Sequence, residues 1–465
     1  MKVALVVPPS PLSKFTWTET YHYPLGVLYL ASYLAKNGFQ VKVVDAIAEN
    51  MTFNQCVGSF KDCDVVGASA VTSTFNQASN ILRTAKTLGK TTVIGGVHVT
   101  SLAREVMETN PWIDYGVIGE GEHTLLELVK YLSSGENHPS MLAIKGLVFR
   151  NNGMVQFSGE RELIQNIDEL PYPALGLIDF PSKKYSVSAL YAKRSPCGNI
   201  ITSRGCPYDC LYCASCTMWR RTVRYRSPEN VIGEMQVLFD LGVKELKIWD
   251  DTFTLNKERV VKICQMMTDE GFDFTWSCLT RVDHLELEML KEMKNAGCWL
   301  VDFGIDAGTQ EGLDILRKHV TLQQNIDGVK LVKKAGIEAK GNVILGTPGD
   351  TVESIRATID HTKQLDLDYL NICTMTPIPG SDLYEMALKN GWIVDWNWDN
   401  YSGRYPVMNI GTVDYDLLYD LQRQALKEFY SRPSFIFKRL KRLRSYGEFK
   451  RAFHAALKVW RGDLD

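Results

Sequence analysis

Ser203-Arg204-Gly205-Cys206-Pro207-Tyr208-Asp209-Cys210-Leu211-Tyr212-Cys213 decides how this chain is read. Three cysteines stand at C-x3-C-x2-C spacing, directly after an apolar run over 199–203 that reads as a strand. Thiolates this close on one loop can wrap a single iron–sulfur cluster. Three ligands on a four-iron cluster leave one iron without a protein thiolate. That open position can take a substrate or cofactor, as the open position of a catalytic zinc does. Zinc itself takes four ligands in a closed structural site, and Cys216 could be the fourth, so zinc is the competing reading.

The run over 199–203 is the first of six. Runs at 245–249, 274–279, 300–305, 339–345 and 369–374 follow, separated by helical patterns. Six βα units suggest a partial (β/α)6 barrel over 196–385, with its chemistry at the carboxyl ends of the strands. Upstream, runs at 3–7, 41–44, 65–70, 92–94 and 115–118 alternate with helices, the first of them over 25–36. Several end in glycine turns, Gly95-Gly96 and Gly119-Glu120-Gly121-Glu122. This is the pattern of an α/β domain, doubly wound and Rossmann-like, over 1–140. Its ligand belongs beyond the carboxyl ends of the strands. Residues 141–195 read as a linker that contains a hairpin, turned at Asn151-Asn152-Gly153. Residues 386–465 read as a Trp-rich and then helical C-terminal region.

Composition excludes several classes. The chain has 465 residues, 45% hydrophobic and 23% charged, which is ordinary for a globular protein. A net charge of −2 gives no support for a nucleic-acid partner. No apolar run is long enough to span a membrane, and the N-terminus reads as a buried strand instead of a signal peptide. Eleven cysteines, an odd number, fit a reducing cytoplasm better than a disulfide framework. Between Arg432 and Arg461 ten basic residues oppose one acidic, Glu448, interleaved with large apolar side chains. Such a tail either contacts an anionic membrane surface or packs on the barrel with its charges in water.

The cysteine segment, with Tyr212 just before its third cysteine, resembles the radical S-adenosylmethionine (radical SAM) superfamily over roughly residues 196–385. The resemblance implies that Cys206, Cys210 and Cys213 hold a [4Fe-4S] cluster whose open iron binds S-adenosylmethionine. Electron transfer from the cluster would then release a 5′-deoxyadenosyl radical. It implies S-adenosylmethionine contacts at Tyr212, Glu234, Arg281, Gly304, Asp306 and Gly346. Arg281 would clamp the methionine carboxylate with its planar fork. Asp250 and Asp251, at the end of the second barrel strand, are the catalytic candidates. Adjacent residues on a strand point apart, so at most one of the two reaches a ligand.

The first domain has Pro8-Pro9-Ser10 after its first strand and no G-x-G-x-x-G, which argues against a nicotinamide cofactor. It is similar instead to the cobalamin-binding domain joined to many radical SAM enzymes. The likeness rests on Pro8-Pro9, Tyr23-Pro24-Leu25-Gly26, Gly95-Gly96-Val97-His98-Val99-Thr100 and Gly119-Glu120-Gly121-Glu122. It implies cobalamin contacts at Pro9, Ser69, Thr72, Gly95, Gly96, His98, Val99, Gly119, Glu120 and Glu122. One departure stands out. Where cobalamin mutases carry D-x-H-x-x-G, this chain has Asp45-Ala46-Ile47-Ala48-Glu49-Asn50, and Ile47 cannot ligate cobalt. The radical enzymes of this group lack that motif too. His98 is then a contact near the corrin or its tail.

The expected function is that of a cobalamin-dependent radical SAM methyltransferase, acting on an unactivated carbon or phosphorus of a small molecule or lipid. An external electron donor such as flavodoxin or ferredoxin is implied. The run Trp249-Asp250-Asp251-Thr252-Phe253-Thr254 looks like that of the anaerobic magnesium-protoporphyrin monomethyl ester cyclase, which is the alternative. A non-catalytic corrinoid or iron–sulfur carrier is a third reading, opposed by the open-site triplet. Transfer-RNA methylthiolation would need more early cysteines than Cys56 and Cys63, and a nucleic-acid module.

Overall fold

The computed structural model describes residues 1–9, 21–134, 140–182, 184, 185, 187, 192–433 and 435–437. Five parallel strands, β1 (Lys2–Val7), β2 (Gln40–Asp45), β3 (Val65–Ser69), β4 (Thr91–Gly95) and β5 (Tyr115–Val117), stand in the order 2-1-3-4-5. Helices α1 (Leu25–Lys36), α2 (Phe53–Ser59), α3 (Phe75–Thr87) and α4 (Val97–Thr109) connect them, and α5 (Gly121–Ser134) follows. The strands are apolar without alternation because both faces are covered. Ala4, Val6, Val66 and Ile94 pack into one core, and Val3, Leu5, Val65 and Val93 into another on the opposite face. The order reverses at β1, which opens a crevice at the carboxyl ends.

The hairpin is β6 (Leu147–Asn151) and β7 (Met154–Phe157), and it is not a free linker. β6 pairs antiparallel with β5, so the first sheet has seven strands. The reason is apolar. Val148 enters one core of that sheet, and Leu147 and Phe149 enter the other.

The second sheet begins with β8 (Cys197–Ile200). A short ribbon, β9 (Ser203–Arg204) with β10 (Arg224–Tyr225), flanks the cysteine loop and α6 (Ser215–Trp219). Then come α7 (Pro228–Asp240), β11 (Glu245–Ile248), α8 (Lys257–Asp269), β12 (Thr275–Thr280), α9 (Leu287–Asn295) and β13 (Cys298–Asp306). The series closes with α10 (Gln310–Ile315), α11 (Leu322–Lys334), β14 (Glu338–Leu345), α12 (Val352–Gln364) and β15 (Tyr369–Thr374). The six long strands run parallel in the order 8-11-12-13-14-15, and β8 does not pair with β15, so the barrel is partial. Two more helices follow, α13 (Asp382–Asn390) and α14 (Tyr415–Tyr430). Gln422 on α14 donates to the Ile372 carbonyl at 2.8 Å, which fixes that helix across β15.

The two units share a core. Tyr23 and, from α1, Leu25, Leu28 and Tyr29 pack with Ile200, Val231 and Met235 of the barrel. The Tyr23 hydroxyl donates to the Asn199 carbonyl at 2.7 Å and accepts from the Asn199 N–H at 2.9 Å. The basic tail is described only at its start. There Arg432 stacks on Phe429, 3.9 Å from its centre, and donates to the Lys363 carbonyl. The remainder of the tail lies outside the described residues, among which no helix is long and apolar enough to cross a membrane.

Candidate active site

The cysteine loop is braced from four sides. Asp250, just past β11, accepts from the Thr202 N–H and hydroxyl at 2.6 Å each and from the Ser203 hydroxyl at 2.5 Å. Gly205 has φ +101°, and a Cβ there would lie 2.0 Å from the Thr222 carbonyl oxygen, so the turn into Cys206 admits glycine alone. The Leu211 N–H donates to the Leu316 carbonyl, and the Leu211 carbonyl accepts from Leu383. Tyr212 donates to Asp306 at 2.9 Å, and Lys318 meets the same carboxylate at 2.6 Å.

Cys206, Cys210 and Cys213 are all half-buried, and each lies within electrostatic reach of the others. Burial raises the Cys210 thiol and pushes Cys213 up to about 12. Such thiols are poor nucleophiles on their own, but iron would hold them as thiolates. Among the described residues no three His, Cys, Asp or Glu side chains converge on a single ion. A cubane spreads its three cysteines over three different irons, so one loop of spaced thiols is the set it fits. The Cys216 thiol points at the Cys213 carbonyl oxygen, 3.4 Å away.

Facing this loop is a cavity of about 290 Å³ between the two sheets. Ser69, Gly95, Gly96, Gly119, Glu120 and Glu122 line it from the first domain; Ser203, Arg204, Trp249 and Asp251 line it from the barrel. Gly96 has φ +105° and a Cβ there would meet the Ala70 carbonyl oxygen at 2.4 Å, so the turn keeps its backbone bare. A glycine floor under apolar walls suits the close approach of a flat macrocycle such as a corrin. Of the two adjacent aspartates, Asp251 lines the cavity and Asp250 braces the loop, as opposite orientations require.

Several of the expected contact residues have protein partners. Glu120 accepts from Arg204 and Arg224 at 2.6 Å each and from the Ile164 N–H at 2.8 Å. Glu122 accepts from Arg204 at 2.7 Å. Burial works against the Glu122 carboxylate, yet Arg204 holds it below its usual range. These two carboxylates tie the first domain to the residue two before Cys206 and at the same time line the cavity. Pro9, Thr72, His98 and Val99 are not among the residues lining the cavity. His98, 1% exposed, is turned back onto Phe75 and Trp398, with Thr72 at 3.3 Å from Nδ1; burial lowers it to about 4.

In the barrel, Glu234 on α7 is buried against Arg226 and accepts from the Tyr29 hydroxyl at 3.3 Å, so it is a strut to α1. The Arg281 fork is taken by Asp283 at 2.9 Å and by the Lys318 carbonyl, and it stacks on Tyr208; Nη1 alone has no partner. A Cβ on Gly304 would meet Lys318 Nζ at 2.7 Å, and one on Gly346 would meet Leu418 of α14 at 2.6 Å. Both glycines are thus closely packed by the protein itself. Asp306 accepts from Tyr212 and is paired with Lys318. Arg204 and Trp249 were not singled out in the sequence, although Arg204 adjoins the cysteine motif and Trp249 begins the aspartate run.

Residues 200–362 match the family model of the radical SAM superfamily, and residues 17–129 that of the B12 binding domain. An uncharacterized methyltransferase of Pyrococcus horikoshii is 37% identical over 465 residues, 99% of each chain. The anaerobic magnesium-protoporphyrin IX monomethyl ester cyclase of Rubrivivax gelatinosus is 28% identical over 89% of this chain and 74% of its own. Among solved structures, the cobalamin-dependent S-adenosylmethionine radical enzyme OxsB, with aqua-cobalamin and S-adenosylmethionine bound, superposes with TM-score 0.77 at 18% identity, covering 97% of this chain and 70% of that one. The methyltransferase TsrM of Kitasatospora setae superposes with TM-score 0.68 at 21% identity, covering 83% and 76%.

Proposed function

This chain belongs to the radical SAM superfamily, as a member with a B12-binding domain ahead of its barrel, and from that premise we propose that it is a methyltransferase acting on an unactivated carbon or phosphorus of a small molecule. The observation that supports this most is the shared cavity. The glycine turns of the first sheet and the strand that leads into the cysteine loop stand on opposite walls of it. When bound, the cluster and S-adenosylmethionine supply a 5′-deoxyadenosyl radical, and cobalamin carries the methyl group.

The chain's own residues position and shield. Asp250 and Gly205 set the direction of the loop, and Tyr212 anchors its far end on Asp306. Arg204, clamped by Glu120 and Glu122, fixes the distance between the loop and the first domain. Cys206, Cys210 and Cys213 are the cluster ligands, and Ser69, Gly95, Gly96 and Gly119 are the corrin contacts that remain once the paired carboxylates are set aside. An external one-electron donor such as flavodoxin or ferredoxin completes the system.

The test is anaerobic reconstitution with iron, sulfide, cobalamin and S-adenosylmethionine under a chemical reductant. Methyl transfer yields both S-adenosylhomocysteine and 5′-deoxyadenosine. Formation of 5′-deoxyadenosine without S-adenosylhomocysteine sinks the methyltransferase reading and favours an oxidative cyclase, which the 28% identity to that enzyme keeps as the second reading. Formation of neither would make the chain a carrier.

A further inference from the structure

Arg281 is the first residue past β12, at the carboxyl end of the barrel sheet, where the cysteine loop also starts. It is 4% exposed, and its guanidinium carbon lies 3.6 Å from the centre of the Tyr208 ring. Tyr208 stands two residues after Cys206 and two before Cys210. Its hydroxyl is bonded to His284, which holds the ring in place. The guanidinium is therefore pressed against the middle of the loop that carries the three thiols. Arg281 and Cys210 lie within electrostatic reach of each other.

A guanidinium has five N–H donors. In Arg281, Nε donates to Asp283 Oδ1 at 2.9 Å, and Nη2 donates to Asp283 Oδ2 at 2.9 Å and to the Lys318 carbonyl at 2.7 Å. Both remaining N–H groups are on Nη1, which is buried and has no partner. A charged donor left unsatisfied inside a protein is costly, and a ligand that completes it removes the cost. The charges themselves are already matched. Asp283 accompanies Arg281, and Asp306 holds the Lys318 ammonium at 2.6 Å. The unmade hydrogen bond, and not surplus charge, is what points to a ligand. Arginine reads a carboxylate with two nitrogens at once. Here the two-nitrogen edge belongs to Asp283, which leaves a single nitrogen and suits one rounded acceptor such as sulfur.

We propose that Nη1 of Arg281 donates to sulfur at the Cys210 corner of the cluster, the thiolate or an adjoining sulfide, and so raises the potential at which the cluster accepts its electron. This rests on the assignment of Cys206, Cys210 and Cys213 as the cluster ligands. One electron from the external donor makes the cluster more negative by one charge. Hydrogen bonds to its sulfurs and nearby positive charge favour that reduced form. Asp283 acts in the opposite direction, because its carboxylate cancels part of the charge that it holds in position. Two residues at one spot thus carry opposite signs.

The experiment uses the full-length protein, reconstituted anaerobically with iron and sulfide and kept free of S-adenosylmethionine. Redox titration, followed by the electron paramagnetic resonance of the reduced cluster, gives the midpoint potential. Arg281→Met should shift the reduction equilibrium at least tenfold toward the oxidised form, which is about 59 mV for one electron. Arg281→Lys should recover part of that shift, since it keeps the charge without the planar fork. Asp283→Asn should move the potential upward. Electron–nuclear double resonance on protein labelled with nitrogen-15 arginine reads the bond itself. The reduced wild-type cluster should show a nitrogen-15 coupling that Arg281→Met lacks. An unshifted potential in Arg281→Met, or no coupling in the wild type, overturns the proposal. So does Arg281→Met that keeps the wild-type potential but loses S-adenosylmethionine in equilibrium dialysis, which would give the fork to the methionine carboxylate. Where Arg281→Met fails to assemble its cluster, Asp283→Asn decides, and a potential at or below that of the wild type overturns the proposal. A wild type that never assembles a cluster overturns the ligand assignment itself, whereas an intact cluster without the coupling overturns only the role of Arg281.

Discussion

Two groups of buried charges flank the cysteine loop, and they follow opposite rules. At the domain boundary, Arg204 and Arg224 meet Glu120 and Glu122, two cations against two anions in hydrogen-bonding geometry. On the barrel floor, Lys247 and Lys340 share Asp302. Taking an ion out of water costs several kcal/mol, and close pairing has to offset it. The boundary group closes that balance within the protein. The boundary pairs its charges in hydrogen-bonding geometry, whereas on the floor two cations meet at one carboxylate.

The largest effect belongs to neither group and sets the scale. Cys210→Ala should abolish the cluster absorbance and all 5′-deoxyadenosine formation, while the unfolding free energy of the cofactor-free protein stays within about 1 kcal/mol of wild type. A full four irons per chain in the Cys206/Cys210/Cys213 triple alanine variant would move the cluster elsewhere. Next is the strut. Glu120→Ala leaves Arg224 without its carboxylate and should cost roughly 3–5 kcal/mol in urea unfolding. A loss below 1 kcal/mol would erase the contrast drawn above.

His98 is a buried titratable group of a third kind, with no ionic partner among the described residues. Folded, it stays neutral down to about 4; unfolded, it takes a proton below about 6.5. The unfolded chain therefore binds the extra proton between those values. Stability from this site is whole above pH 6.5 and declines as pH falls toward 4, by roughly 3 kcal/mol. His98→Phe should flatten that slope, as followed by unfolding midpoints from pH 4 to 7. An unchanged slope would assign the acid lability to other groups. The smallest effect is on the floor. Lys247→Met removes a desolvated ammonium and should change stability by about 1 kcal/mol or less, in either direction. A loss near that of Glu120→Ala would reclassify the floor as a second strut.

Much of this was legible in the sequence, for identifiable reasons. β15 and α1 fall on their expected bounds, because long periodic segments flanked by Gly and Pro leave few alternatives. The cysteine loop was readable because its chemistry is local. Partners distant in the chain were not readable. Glu234 meets Tyr29 and Arg226, Gly346 meets Leu418, and Glu120 meets Arg204, and no spacing in the sequence records those encounters. The hairpin over Leu147–Phe157 was recognised as a hairpin, but the edge it joins is set by tertiary pairing with β5. The floor stayed hidden for another reason. Lys247, Asp302 and Lys340 alternate with apolar residues, as on a strand with one face in water, and a polar lumen produces the same pattern.

Tyr23 has a consequence for modularity. Its ring belongs to the core of the barrel, and its hydroxyl takes both backbone groups of Asn199, although in sequence it precedes α1 of the other unit. The cut between the two units that the sheets suggest therefore passes through a single hydrophobic interior. A chimera that exchanges the first 140 residues for those of another protein would carry away a piece of its acceptor's core. The exchangeable unit is the pair of sheets together, and a successful graft has to bring the Tyr23 side chain and the strand it grips from the same parent.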